Sequence, residues 1–417
     1  MFHRHKYGGF LSEIDNRLLF YRLEDSKELE KMLNCVSWES YRPGTDFQMR
    51  NAAENDLIHM RAALALAKRG LGATWPNPSV GCVLARDGRV VGRGYTGPGG
   101  TPHAESTALS LAGKAACGAT AYVTLEPCCH WGRTPPCAEA LIQAGVVRVV
   151  IAAFDPDKRV DRRGAARLRD AGIVVEQGLL EQEATEDLAG FFMRVAQHRP
   201  LVTLKLATTL DGKIATATGE SQWITAPEAR RMAHILRGRH DAVLAGIGTV
   251  MADDPELNCR IQGFRAFPIT RVVIDSHLRT PLISKLAKTA KEAPLWLVVR
   301  EGRDPVRLDD FADLGVNVLQ VSSGDSGIDL TEAMRVLGQK GLTRVLVEGG
   351  GQIASSFVRA GLVDRIAWFH APGIMGGDGW PAVQGFGLQN LAMMPRFVRY
   401  RVTTLGSDTL TEFKRTA

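Results

Sequence analysis

The residues whose types and spacing carry the most chemistry lie in Pro102-His103-Ala104-Glu105, followed by Glu126-Pro127-Cys128 and then Cys137. Imidazole nitrogen and thiolate sulfur are ligands that zinc favours, and a catalytic zinc uses three protein ligands and leaves a fourth position for water. Glu105, two residues from His103, stands close to such a metal but remains free to shuttle protons. This is the arrangement of a zinc deaminase, in which metal-activated water attacks an amidine-like ring carbon while a glutamate moves protons. The commoner signature closes with Pro-Cys-x-x-Cys, whereas Cys128 and Cys137 are nine positions apart. His-x-Glu alone is common by chance, and Cys128, Cys129, Cys137 and His130 would also suit a closed structural site. The two halves in this order, each after the expected element, favour the catalytic reading.

A second set of residues lies in the C-terminal half. Leu346-Val347-Glu348-Gly349-Gly350-Gly351 reads as a strand running into glycines, with a helix over 352–360. Glycines there let backbone N–H groups approach a phosphate at a helix N-terminus. The spacing is not Gly-x-Gly-x-x-Gly, so a Rossmann assignment does not follow. Alone, such a turn is weak evidence for phosphate binding.

The elements that must position these residues are legible from periodicity. Met60, Ala63, Leu64 and Ala67 recur at helical spacing over 59–69, with Gly70 and Gly72 as stop signals. Strands are expected at 80–84 and 89–94 around an Asp87-Gly88 turn, then a helix at 103–112. A strand at 121–125, a helix at 137–144 and a strand at 146–152 follow. After a joint at His198-Arg199-Pro200, strands at 201–207, 242–245, 271–275, 295–299, 316–320 and 344–347 alternate with helical or loop segments. Alternation of this kind predicts α/β domains with helix-covered sheets. Residues 1–55 lack a sustained period and read as a poorly ordered extension with one short helix near 27–33, or as the product of a start site upstream of Met49. The expected division is therefore 1–55, 56–199 and 200–417.

Composition bounds the reading. The chain has 417 residues, 45% hydrophobic and 23% charged, which excludes disorder throughout. It contains neither an apolar run long enough to span a bilayer nor a signal peptide, so a cytoplasmic protein without a membrane partner is expected. The net charge of +6 is mild. It suits a phosphorylated small molecule as readily as a nucleic acid. Seven cysteines, three of them within ten positions, point to a metal or to catalysis in a reduced compartment and not to a disulfide framework.

The loop Pro127-Cys128-Cys129-His130-Trp131-Gly132-Arg133-Thr134-Pro135-Pro136-Cys137 closely resembles that of the bifunctional riboflavin-biosynthesis deaminase/reductase family, which uses this longer cysteine spacing. Upstream, Pro76-Asn77-Pro78-Ser79-Val80-Gly81 matches the family's Pro-Asn-Pro-x-Val-Gly. In the second half the resemblance is carried by Lys205-Leu206-Ala207, Leu210-Asp211-Gly212-Lys213-Ile214-Ala215, Gly219-Glu220-Ser221-Gln222-Trp223-Ile224-Thr225 and Gly248-Thr249-Val250-Met251-Ala252-Asp253-Asp254-Pro255. It covers the chain from about residue 56 to the C-terminus.

The resemblance implies a cytidine-deaminase-like zinc domain followed by a dihydrofolate-reductase-like domain that takes NADPH. It makes His103, Cys128 and Cys137 the zinc ligands and Glu105 the catalytic proton shuttle. It implies cofactor contacts at Ala207, Trp223, Thr249, Asp253 and Ser276, and along Gly350, Gly351, Gln352, Ile353, Ala354, Ser355 and Ser356. Substrate contacts are implied at Ser221, Arg237, Leu257, Arg260 and Glu348. Lys205, Asp253 and Glu348 are candidates for orienting the substrate or supplying a proton during reduction of an open-chain ribose imine, and Arg237 and Arg260 suit its phosphate. Two positions depart from the family pattern: Thr96, where many members have His, and Cys129, where Ser is usual.

The implied activity is deamination of a diaminopyrimidinone ribotide followed by reduction of its ribosyl chain, in an enzyme expected to be a homo-oligomer. A nucleic-acid base deaminase would need a basic stripe with stacking aromatics, which the densest basic run, Lys158-Arg159 with Arg162-Arg163, is not expected to offer. A decayed, non-catalytic zinc module would have no reason to keep both residue sets.

Overall fold

The computed structural model describes residues 43–416 apart from 132–134, 266 and 325–326, and the fold below belongs to the unit Asn55–Ala417. The helix expected near 27–33 lies outside the described residues. Helix α1 spans Pro43–Gly70, so it begins inside the expected extension. Residues 43–54 carry no sustained apolar stripe in sequence, so periodicity does not reveal them. Further along α1, Met60, Ala63, Leu64 and Ala67 are all buried.

Strands β1 (Gly81–Arg86) and β2 (Arg89–Tyr95) form a hairpin. Asp87 and Gly88, both at positive φ, turn it as the sequence predicts. Helix α2 (Ala104–Ala112), β3 (Thr120–Leu125), α3 (Cys137–Gln143), β4 (Arg148–Ala153), α4 (Arg163–Asp170), β5 (Val174–Gln177) and α5 (Glu181–Gln197) complete the first half. The five-stranded sheet has the order β2-β1-β3-β4-β5, with β3, β4 and β5 parallel. Helix α1 rests directly on β1, because Gly81 has no side chain to hold it off: a Cβ there would lie 1.9 Å from the Ala63 carbonyl oxygen.

The second half is built on β6 (Leu201–Thr208), α6 (Pro227–Gly238), β7 (Ala242–Gly246), α7 (Ile247–Asp253), β8 (Thr270–Ile274), β9 (Leu295–Arg300), α8 (Pro305–Asp313), β10 (Asn317–Val321), α9 (Leu330–Gln339), β11 (Arg344–Val347), α10 (Gly351–Arg359) and β12 (Arg365–His370). It ends in a hairpin of β13 (Phe397–Leu405) and β14 (Asp408–Arg415). The nine-stranded sheet has the order β10-β9-β8-β7-β11-β6-β12-β14-β13. All its strands through β12 are parallel, and the terminal hairpin is antiparallel. Parallel strands covered on both faces read as continuous apolar runs, which is how β7, β8, β9 and β11 stand out in the sequence. The terminal hairpin does not stand out, since β13 is mostly exposed and carries Arg399 and Arg401 among its apolar residues. Among the described residues, no helix is long and apolar enough to cross a membrane.

Candidate active sites

His103 sits at the N-cap of α2, Cys128 follows β3 at the Glu126-Pro127 turn, and Cys137 opens α3. The fold brings them together. His103 Nδ1 lies 3.2 Å from Cys137 Sγ and 3.7 Å from Cys128 Sγ, and the three ligand atoms all fall within 4.8 Å of one another. Zinc bonded at about 2.3 Å to sulfur and about 2.0 Å to nitrogen would separate tetrahedral ligands by about 3.5 Å, so this donor set fits the ion. The Cys137 backbone N–H at the start of α3 donates to Cys128 Sγ at 3.3 Å. That bond, with the hydrogen bonds to Cys137 and His103, holds the Cys128 thiol well below its usual range despite burial, which favours the thiolate that a metal needs.

Glu105, on the first turn of α2, is only 4% exposed. Burial, reinforced by the Cys128 thiolate, pushes its carboxyl up to about 7. A group with that value both accepts and returns a proton near neutrality. The departures from the family pattern lie elsewhere. The Thr96 hydroxyl is buried and accepts the Val80 N–H at 2.9 Å, so it serves the backbone. The Cys129 thiol points to the Arg159 carbonyl at 3.7 Å and takes no part in the cluster.

The second site is a cleft of about 1220 Å³. It opens where the carboxyl ends of β6, β7, β8 and β11 meet the loops that follow them, the usual place for a ligand on a parallel sheet. Lys205, Ala207, Ser221, Trp223, Arg237, Thr249, Asp253, Leu257, Arg260, Ser276, Glu348, Gly350, Gly351, Gln352, Ile353 and Ser356 all line it. Ala354 and Ser355 do not. They face the core, because the helical period turns alternate parts of α10 away from the cleft. At the start of α10, Gly349 has φ +135° and Gly350 has open space on the side where a Cβ would stand, which leaves the helix N-terminus accessible to a phosphate.

The charges in the cleft are not interchangeable. Arg237 donates through Nε and Nη2 to both oxygens of Glu348, at 2.7 and 2.8 Å, and through Nη1 to the Asn258 carbonyl at 3.0 Å. Much of its guanidinium is thus committed to Glu348, leaving Arg260 as the exposed cation of the two expected at a phosphate. Burial alone would raise the Glu348 pKa, but Arg237, with Lys205 adding to it, holds it at about 2. Glu348 is therefore an anionic acceptor and not a proton source. Burial lowers the Lys205 pKa while Glu348 opposes, which leaves Lys205 as the readier proton donor.

The sequence reading missed Arg230 and His234, which also line the cleft, with Arg230 stacked 4.5 Å from the Trp223 ring centroid. Their signal was present. Arg230, His234 and Arg237 are spaced i, i+4, i+7 on α6 and so share one helical face.

Fold and sites together define a zinc-dependent deaminase joined to a reductase. Residues 53–153 match the cytidine and deoxycytidylate deaminase zinc-binding region, and residues 200–411 match the RibD C-terminal domain. The riboflavin biosynthesis protein RibD of Aquifex aeolicus is 42% identical, over 87% of this chain and 99% of that protein. The Escherichia coli protein of the same name is 41% identical, over 85% and 97%. Among solved structures, Acinetobacter baumannii RibD superposes with a TM-score of 0.79 at 38% identity, covering 87% of this chain and 99% of the other. A Thermotoga maritima protein described as a diaminohydroxyphosphoribosylaminopyrimidine deaminase/5-amino-6-(5-phosphoribosylamino)uracil reductase superposes with a TM-score of 0.76 at 34% identity, with the same coverage. The chain belongs to the RibD family of bifunctional deaminase/reductases, with a cytidine-deaminase-like domain, a dihydrofolate-reductase-like domain, and zinc and NADPH as cofactors.

Proposed function

We propose that the protein performs two consecutive steps of riboflavin biosynthesis. Residues 56–199 deaminate 2,5-diamino-6-(5-phosphoribosylamino)pyrimidin-4(3H)-one, and residues 200–417 reduce the ribosyl side chain to give 5-amino-6-(5-phosphoribitylamino)uracil. The observation that carries the reading is the His103–Cys128–Cys137 cluster with buried Glu105, on the same chain as a cleft lined by Lys205, Glu348 and the α10 glycines.

His103, Cys128 and Cys137 would hold zinc, which when bound would activate water as a nucleophile at neutral pH. Glu105 takes a proton from the attacking water and returns one to the departing amino group, a role that needs a carboxyl close to the metal but outside its ligand set. NADPH, when bound in the cleft, would supply hydride. The α10 N-terminus with Gly350 and Gly351 would hold the cofactor's phosphates, and the cleft residues Trp223, Thr249, Asp253 and Ser276 would bind the rest of it. Glu348 accepts hydrogen bonds from the substrate, Arg260 meets its phosphate, and Lys205 supplies the proton that accompanies reduction. A cytoplasmic homo-oligomer completes the reading, on the general prevalence of symmetric assemblies, and sedimentation of the purified enzyme tests the assembly.

The test is a mass-resolved assay with the diaminopyrimidinone ribotide, with and without NADPH. Replacement of an amino group by oxygen without NADPH, then a gain of two hydrogens with it, is the expected result. Glu105→Gln should abolish the first change while zinc content persists. Deamination without reduction would leave the first assignment standing and refute the second.

A further inference from the structure

The two halves meet at a contact that neither site's chemistry explains. The loop that leaves α1 runs along the second half before entering β1. Its Trp75 packs edge-on against Trp296 of β9, with ring centroids 6.3 Å apart. A Cβ on Gly341 would lie 2.9 Å from the Pro76 side chain, so the two backbones approach closely there. In the same loop the Gly72 carbonyl accepts from Arg265 Nη2 at 2.8 Å. The Arg265 guanidinium also donates through Nη1 to the carbonyls of Gly238 at 3.1 Å and His240 at 2.9 Å.

Those two carbonyls mark the end of α6, directly after Arg237. The last carbonyls of a helix have no intrahelical partner, and a cation placed there both satisfies them and complements the helix dipole. The rest of the segment grips the same helix end. Asn258 accepts from Arg237, and the Cys259 thiol donates to the His234 carbonyl at 3.2 Å. Arg265 itself does not line the cleft. We infer that Arg265 is a positioning residue of the reductase, fixing the last turn of α6, and through it the Arg237–Glu348 pair, against a carbonyl of the deaminase half. The inference rests on the reductase reading given above.

Gly72 offers a test from the other side of the contact. It has φ +80°, and a Cβ there would lie 2.7 Å from the Gly238 oxygen and 2.8 Å from both Arg265 Nη1 and the His240 oxygen. A methyl group added in the deaminase half therefore presses on the end of the reductase helix. Gly88 is the matched control: its φ is +73° and nothing lies within 4 Å of a Cβ. It carries comparable backbone strain without the contact.

The experiment uses the full chain with zinc and NADPH and measures both half-reactions for Arg265→Gln, Arg265→Lys, Gly72→Ala and Gly88→Ala, with zinc content and circular dichroism as controls for folding. Arg265→Gln should raise the reductase KM for the pyrimidine substrate about ten-fold, the scale on which a displaced binding group acts, with kcat and deamination nearly unchanged. Arg265→Lys should recover part of that loss by keeping a cation at the helix end. Gly72→Ala should raise the same KM, and Gly88→Ala should not. If Arg265→Gln and Gly72→Ala leave that KM unchanged, or lower both activities in proportion, the contact is only structural and the inference is overturned. A wild-type enzyme that does not oxidise NADPH would instead refute the reductase reading, and this inference with it.

Discussion

Lys205 and Glu348 line one cleft, where burial lowers the pKa of the lysine while Arg237 holds Glu348 ionised against the same burial. Lys205→Met should lower reductase kcat by about 10²- to 10⁴-fold, the usual contribution of a positioned proton donor, while deamination proceeds unchanged. At the metal cluster, Cys128→Ser should release zinc on dialysis and Cys129→Ser should not, as read by metal analysis, because only the first thiol points into the cluster. His240 makes a prediction about pH. Its Nδ1 donates to the Leu236 carbonyl at 2.7 Å and its Nε2 accepts from the Thr203 hydroxyl at 3.0 Å, and burial lowers its pKa to about 3 from an ordinary 6.5. A base with a depressed folded pKa favours the folded state while neutral. Its contribution is complete above about pH 6.5 and is lost as pH falls toward 3, because the unfolded chain binds a proton that the folded chain refuses. Denaturant unfolding should show wild type losing stability relative to His240→Gln by about 1.4 kcal/mol per pH unit inside that window.

Among the elements, α6 and α10 show how much of a site is carried by helical period alone. On α6 the period gathers Arg230, His234 and Arg237 along the cleft. On α10 it divides a contiguous motif, turning Gln352, Ile353 and Ser356 to the cleft and Ala354 and Ser355 to the core. A motif carried over residue by residue cannot make that distinction; a helical wheel can. Helix α1 and β1 depend on close approach at Gly81 in the same way. Gly81→Ala would force helix and strand apart, and overpacking of this kind costs about 1–3 kcal/mol. A drop of several degrees in the thermal midpoint, with the isolated hairpin turn unaffected, is the expected result.

Across the whole molecule, the second sheet reaches back to the deaminase half through charged groups on its strands. Buried Arg344 of β11 donates through Nη2 to the carbonyls of Glu186 and Asp187 on α5. Arg365 of β12 and Lys414 of β14 both pair with the Glu186 carboxylate. At the joint between the halves, Arg199 forms a two-pronged pair with Asp364 at 2.7 and 2.8 Å. Gly190 lets α5 approach this network, since a Cβ there would stand 2.5 Å from the Arg344 side chain. Arg344→Met removes a charged donor from these two carbonyls, although Arg365 still donates to that of Glu186, at a cost of about 1.5–3 kcal/mol. Limited proteolysis should then cut near residues 198–200 several-fold faster than in wild type.

Residue order alone pointed to the residues that the fold gathers at the first site. His103, Glu105, Cys128 and Cys137 sit at the starts or ends of short elements, where local signals place each side chain, and zinc ligation restricts which residue types can serve. Strands β7, β8, β9 and β11 were equally legible, because burial on both faces writes them as apolar runs, whereas the parallel strands β5 and β12 were not predicted. Only the tertiary structure decided the rest. Arg237 turned out to be committed to Glu348, Glu348 became an anion instead of a proton source, and Arg265 joined a helix end to a loop nearly two hundred positions away. None of these leaves a trace in spacing, because each depends on which charges are buried together once strands distant in sequence lie side by side. The extension of α1 back to Pro43 escaped because residues 43–54 carry no apolar stripe in sequence, which leaves no period to read.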